Sequence, residues 1–152
     1  MRRELLLLRE MRDAAVAIRG LVVGRTAEGV DADALRRLAL LWHFTVLGEA
    51  ARQVPADSKA AHPQIAWREA IRLRNRIVHG YWDIDIDTLV ATAIHDLPQM
   101  FVRLDAATWE ESAALAFRLD RDPELRGQWL VAGPGAGACG QDALARTPGL
   151  HL

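Results

Sequence analysis

Leu8, Met11, Ala15, Ile18 and Val22 recur at steps of three and four residues. That spacing lays them on one face of an amphipathic helix covering roughly residues 2–23. The run GRTAEGVD, with its two glycines, interrupts the pattern. Asp31 or Asp33 then suits the N-cap of a second helix that reaches about Gln53. The middle of that helix, LALLWHFTVLGEAA, is apolar nearly all round, which predicts a central place in the fold. VPADSKAAHPQIA reads as a loop carrying two prolines. A third helix is expected from near Trp67 to His79, with Gly80 as its C-terminal stop. YWDIDID is a connector, and Asp85 or Asp87 can cap the next helix. There Val90, Ile94, Leu97, Phe101 and Leu104 form another stripe. Pro98 lies inside it, removes a backbone donor and crowds the carbonyl of Ile94, so a kink or break is expected. Thr108 and Glu111 fit a T-x-x-E capping box that opens a fifth helix to about Leu119.

No strand pattern or internal repeat stands out. From Gly133 the chain reads GPGAGACGQDALARTPGLHL, rich in glycine and without an apolar period. The expectation is an all-α antiparallel bundle of four to five helices over residues 1–132, with a flexible, disordered tail over 133–152.

Composition narrows the function classes. With 152 residues, 51% of them apolar, the chain can bury one domain's core. A net charge of −1 gives no global basic field, so any nucleic-acid contact has to come from a local patch. Of the 19 basic residues only Lys59 is lysine, and arginine suits bidentate contacts to phosphate. The single cysteine, Cys139, excludes an intrachain disulfide and fits a reducing cytoplasm. The four leucines of MRRELLLLREMRD are too few for a signal-peptide core or a membrane span. A cytoplasmic protein with no membrane partner is expected.

The local patch is at RLRNRIVHGYWDIDID, Arg72 to Asp87. Arg68, Arg72, Arg74 and Arg76 fall close together, opposed only by Glu69. On a helix, residues four apart differ by about 40° around the axis. Arg68, Arg72 and Arg76 therefore share one face, and Asn75 shares another with His79. The long Arg74 side chain, one residue before Asn75, can swing toward His79. A guanidinium, an amide and an imidazole at one helix end suit phosphodiester cleavage without a metal. The imidazole can move a proton to or from a ribose hydroxyl or a leaving oxygen. The guanidinium can hold the phosphate and stabilise developing charge. Asn75 can fix the imidazole or hold substrate, and Tyr81 adds a hydroxyl. The plainer alternative is a solvated arginine face with a histidine that answers the helix dipole.

The stretch Leu47 to Pro98 resembles the HepT-like branch of the HEPN superfamily. GEA, the proline–tryptophan region, RNRIVHGY and DLP come in that family's order, and RNRIVHGY matches its R-x4-H-x-Y motif. The chain departs from the family pattern at Ala66, where proline is usual. It departs again at WHFT, Trp42 to Thr45, where a polar or basic residue is common. The resemblance implies a HEPN-like helical bundle pairing as a homodimer, with arginine and histidine of both subunits facing one ribonuclease cleft. Carried over, Arg74 and His79 are catalytic, and Asn75 is the polar position after the motif arginine, with Arg76 in support. Tyr81 is the tyrosine that an MntA-like nucleotidyltransferase antitoxin modifies with AMP. The implied function is the toxin of a type VII HepT/MntA-like toxin–antitoxin system, cutting tRNA or mRNA internally or trimming 3′ ends, with no cofactor and no metal. The rival is a non-catalytic helical module that binds a nucleotide or a partner.

Other constellations carry less. Asp83, Asp85 and Asp87 alternate like the start of a calcium loop, but Thr88 and Ile94 stand where that loop needs glycine and glutamate. Capping, or balancing nearby arginines, fits better. Glu49, within GEA, can orient a site arginine or act as a structural partner. His62, His95, His151 and Cys139 lack metal-ligand spacing. Trp67 and Trp82 flank the motif helix as packing residues, and Trp82 offers a surface on which a base can stack.

Overall fold

The computed structural model describes residues 2–121, less the side chains of Arg2, Tyr81 and Leu119. The expected domain boundary after residue 132 and the expected tail at 133–152 lie outside the described residues. No strand occurs among the described residues. Among the described residues seven α-helices follow in order: α1 (Arg2–Val22), α2 (Ala27–Asp31), α3 (Ala34–Gln53), α4 (Ala56–Ala61), α5 (Trp67–Gly80), α6 (Ile86–His95) and α7 (Leu97–Arg121). A 3-10 turn, Tyr81–Asp83, separates α5 from α6. The five longer helices make an all-α antiparallel bundle, as the periodicity predicted. Two compact units divide between residues 113 and 114. In the second, residues 114–121 continue α7, and the Arg121 guanidinium stands 5.0 Å from the centre of the Phe117 ring.

In the first unit the α1 stripe is inside: Leu8, Met11, Ala15, Ile18 and Val22 are all buried. Each large side chain among them contributes about 1.5–3 kcal/mol by leaving water. α1 and α3 run antiparallel, with their ends tied crosswise. Near the start of α1, Arg3 donates to the Gln53 side chain at the end of α3 (3.1 Å). At the other end Arg36 donates to the Leu21 carbonyl (3.2 Å). α7 runs back along α1, with Arg12 3.7 Å from Asp105 and the Arg19 guanidinium 5.8 Å from the Phe101 ring centre.

Asp33 caps α3, accepting from the Arg36 amide at 3.1 Å, and Asp85 caps α6, accepting from the Asp87 amide at 3.0 Å. Each is one of the two aspartates proposed for that cap. Pro98 falls in the first turn of α7, just past the break between His95 and Leu97, where a missing amide costs nothing.

Three local expectations are corrected. GRTAEGVD contains α2, because the Thr26 hydroxyl accepts from the Gly29 amide (3.1 Å) and caps it. The proline-bearing loop contains α4, since Ala56–Ala61 are mostly good helix formers. Thr108 opens no fifth helix: it lies inside α7, and its hydroxyl donates to the Leu104 carbonyl (2.7 Å). Gly80 is the last residue of α5, the stop expected there, and at φ −151° it passes the chain directly into the 3-10 turn.

α3 lies between α1 and α5, so it is central. It is not enclosed on all sides in the single chain. Leu40, Phe44, Leu47 and Ala51 are buried, while Leu35, Leu38 and Trp42 are 81%, 63% and 65% exposed. Among the described residues no helix is long and apolar enough to cross a membrane.

Candidate functional site

The site is built where α3 and α5 touch. Gly48 makes that approach possible. A Cβ at this position would collide with the Arg74 side chain and the Ala70 carbonyl. The missing side chain lets α5 lie against α3 and places Glu49, the next residue, opposite Arg74. The Arg74 guanidinium meets the Glu49 carboxylate at 3.0 Å through Nη2. Through Nη1 it donates to the Asn75 side-chain oxygen, also at 3.0 Å. Its Nε is buried and has no hydrogen-bond partner.

Glu49 is itself held. Arg52 donates to it from Nε and Nη2, the shortest contact being 2.7 Å, and Gln53 donates at 3.1 Å. The hydrogen-bonded Arg52 guanidinium, aided by the Gln53 amide and the charge of Arg74, lowers the Glu49 pKa to about 2 against the opposing effect of desolvation. The carboxylate is therefore charged throughout the neutral range, and Arg74 is fixed in the seam between two helices.

His79 sits in the last turn of α5 and is exposed. Among the described residues its imidazole has no hydrogen-bond partner. It lies five positions after Arg74, about 140° around the helix. α5 thus does not turn both side chains the same way: Arg74 faces the seam and His79 faces solvent. Asn75 stands between them, exposed, one turn before His79. Its side-chain oxygen accepts from Arg74, and among the described residues it makes no hydrogen bond to the imidazole.

The assignment of Arg68, Arg72 and Arg76 to a face separate from Asn75 and His79 also changes. In the helix all five residues are exposed and fall within an arc of about 100°, with His79 between Arg68 and Arg72. Arg76 is close enough to Asp85 to help lower its pKa, an effect led by the Thr88 hydroxyl bonded to that carboxylate. Asp85 thus serves as a cap and as a counter-charge, the reading preferred over calcium. Tyr81 is the first residue of the 3-10 turn, and its side chain lies outside the described part.

Among the described residues no three His, Cys, Asp or Glu side chains converge to hold a metal. A cavity of about 450 Å³ opens elsewhere, floored by Phe44, Leu47, Leu73 and Met100, with neither Arg74 nor His79 on its wall. The Glu49–Arg52–Gln53 bracing set was only partly visible in sequence. Its signal was GEA followed by Arg52, with side chains three and four residues apart on one helix.

Comparison with known proteins points to one family. A protein of Thermococcus cleftensis named "Probable ribonuclease HepT" is 34% identical over 68 residues, which is 45% of this chain and 62% of that protein. A "Putative RNase" of Methanocaldococcus jannaschii is 31% identical over 64 residues, 42% of this chain and 53% of that protein. Another, from Caldanaerobacter subterraneus, is 22% identical over 79 residues, 52% of this chain and 70% of that protein. The chain thus spans somewhat over half the length of the first two. No solved structure matches significantly. The family model described as ribonuclease HepT-like matches residues 11–107, which take in Gly48, Glu49 and the whole run Arg74–Tyr81, and the chain belongs to that family.

Proposed function

We propose that the protein is a ribonuclease toxin that cuts RNA at a cleft shared by two copies of the chain, without a metal. The observation that carries this reading is the arrangement around R-x4-H-x-Y in a chain of this family: an exposed imidazole at a helix end, five positions after an arginine fixed by Glu49 and Asn75. His79 moves the proton between the ribose 2′-hydroxyl, the attacking group, and the departing 5′-oxygen. Arg74 stabilises the negative charge that builds on the phosphate oxygens. Arg76 adds positive charge nearby.

A two-fold axis answers the divergence of Arg74 and His79 on one helix, because a second copy brings another pair to the same cleft. The exposed stripe of Leu35, Leu38 and Trp42 on α3 supports such pairing.

Control is proposed to come from an MntA-like nucleotidyltransferase that places AMP on Tyr81. The residue opens the turn immediately after Gly80, two positions from His79. An added phosphate and nucleotide there would compete with RNA for the same arginines.

One observation favours the rival, a non-catalytic binding module: Arg74 is already engaged by two partners. Expression separates the readings. Alone, the chain should stop growth and fragment cellular RNA, and co-expression with a neighbouring nucleotidyltransferase should restore growth and add AMP-sized mass to the protein. Tyr81→Phe should keep the toxicity and lose the added mass. Intact RNA and unimpaired growth at full expression would favour the rival. Neutralisation of the wild type without a mass change would remove the role given to Tyr81.

A further inference from the structure

We infer that the exposed face of α5 is a track for a single-stranded RNA backbone, with Arg68 and Arg72 holding the phosphates of nucleotides that lead away from His79. This rests on the proposed ribonuclease reading but concerns residues that reading does not use. Arg68, Arg72 and His79 lie within an arc of about 40° on α5. All three are exposed. The two arginines stand about 6 Å apart along the axis and His79 about 10 Å farther on. The interval between the two arginines is close to the step between phosphates of an extended strand.

Many guanidinium groups of the bundle are engaged: Arg12 with Asp13, Arg36 with Asp33, Arg52 with Glu49, and Arg103 with the Gln64 carbonyl. Among the described residues Arg68 and Arg72 have no ion-pair or hydrogen-bond partner. Glu69, the acidic residue of α5, forms no ion pair with either. Two unneutralised, exposed guanidinium groups in line with an imidazole complement a phosphate chain. Just past His79 the Trp82 ring, 72% exposed, offers a surface for a base. An acidic protein partner would satisfy the charge but has no need of the line toward His79.

The test uses the full chain with His79→Ala, so that bound RNA stays intact, and a labelled single strand of about eight nucleotides, read by fluorescence anisotropy over a range of salt. Adding Arg68→Gln and Arg72→Gln should weaken binding and make the log–log salt dependence shallower by about 1.4, since each phosphate contact on a single strand contributes about 0.7. Arg68→Lys with Arg72→Lys keeps the charge and should keep the slope. Cleavage of a dinucleotide, too short to reach the track, should be the same for Arg68→Gln/Arg72→Gln as for wild type. An unchanged slope and affinity in the double glutamine variant would overturn the track, as would a protein that binds no single strand at all. So would loss of a partner protein's binding with RNA binding intact, which would make the face a protein-docking surface. RNA that is bound through Arg68 and Arg72 but never cut would keep the track and sink the ribonuclease reading instead.

Discussion

Asn75 and His79 are one turn apart on α5 and both exposed, yet among the described residues only the Asn75 side chain has a hydrogen-bond partner. Its partner is Arg74, which Glu49 grips from the other helix. The Glu49 carboxylate, lowered from its ordinary range to about 2, stabilises the folded state at all pH values above about 4.5, and that contribution is lost as pH falls toward 2. The brace on Arg74 should therefore be insensitive to pH from about 5 upward, and no titration of Glu49 should enter an activity profile measured there. Glu49→Gln should lower the cleavage rate at saturating RNA while leaving RNA affinity near wild type, with Glu49→Asp recovering part of the rate. Equal rates for Glu49→Gln and wild type would show that Arg74 needs no orienting carboxylate. The sequence singled out Arg74, Asn75, His79 and Tyr81 by their spacing and motif. The direction in which Arg74 points was legible only as one of two roles open to Glu49, because that partner is twenty-five residues away and meets it only through tertiary packing.

Helix pairing turns on a single missing side chain. In an open helix Gly→Ala stabilises by about 1 kcal/mol. At Gly48 the added carbon would meet the Arg74 side chain and the Ala70 carbonyl, so α3 and α5 must separate. Gly48→Ala should destabilise the bundle by about 1–3 kcal/mol, seen as a lower thermal midpoint. A midpoint at or above wild type would show that the seam is looser than the structure has it. The long helices were legible because their stripes and caps are local signals, as at Met11, Ile18, Asp33 and Asp85. The failure at Thr108 is instructive. T-x-x-E caps a helix only where the helix starts, and nothing between Pro98 and Arg121 stops one. The Thr108 hydroxyl turns to the Leu104 carbonyl instead.

For the whole molecule, the apolar run of α3 announced its central place but not which side would stay open. Leu35, Leu38 and Trp42 face outward at helical spacing, and the proposed homodimer gives them a partner. Leu38→Glu with Trp42→Glu should yield folded monomers by sedimentation and lose most cleavage. A wild-type chain that is monomeric at micromolar concentration and still cuts RNA would contradict the shared cleft. Beneath all of this lies the claim that Arg74 and His79 form a ribonuclease centre. The measurement that reaches it most directly is single-turnover cleavage of a single-stranded RNA by the purified chain and by His79→Ala and Arg74→Ala, each verified as folded by circular dichroism. The account predicts cutting by the wild type, in chelator as in its absence, and a fall of about 10²–10⁴ in rate for His79→Ala, with a comparable loss for Arg74→Ala. A folded His79→Ala protein that cuts as fast as wild type would contradict it.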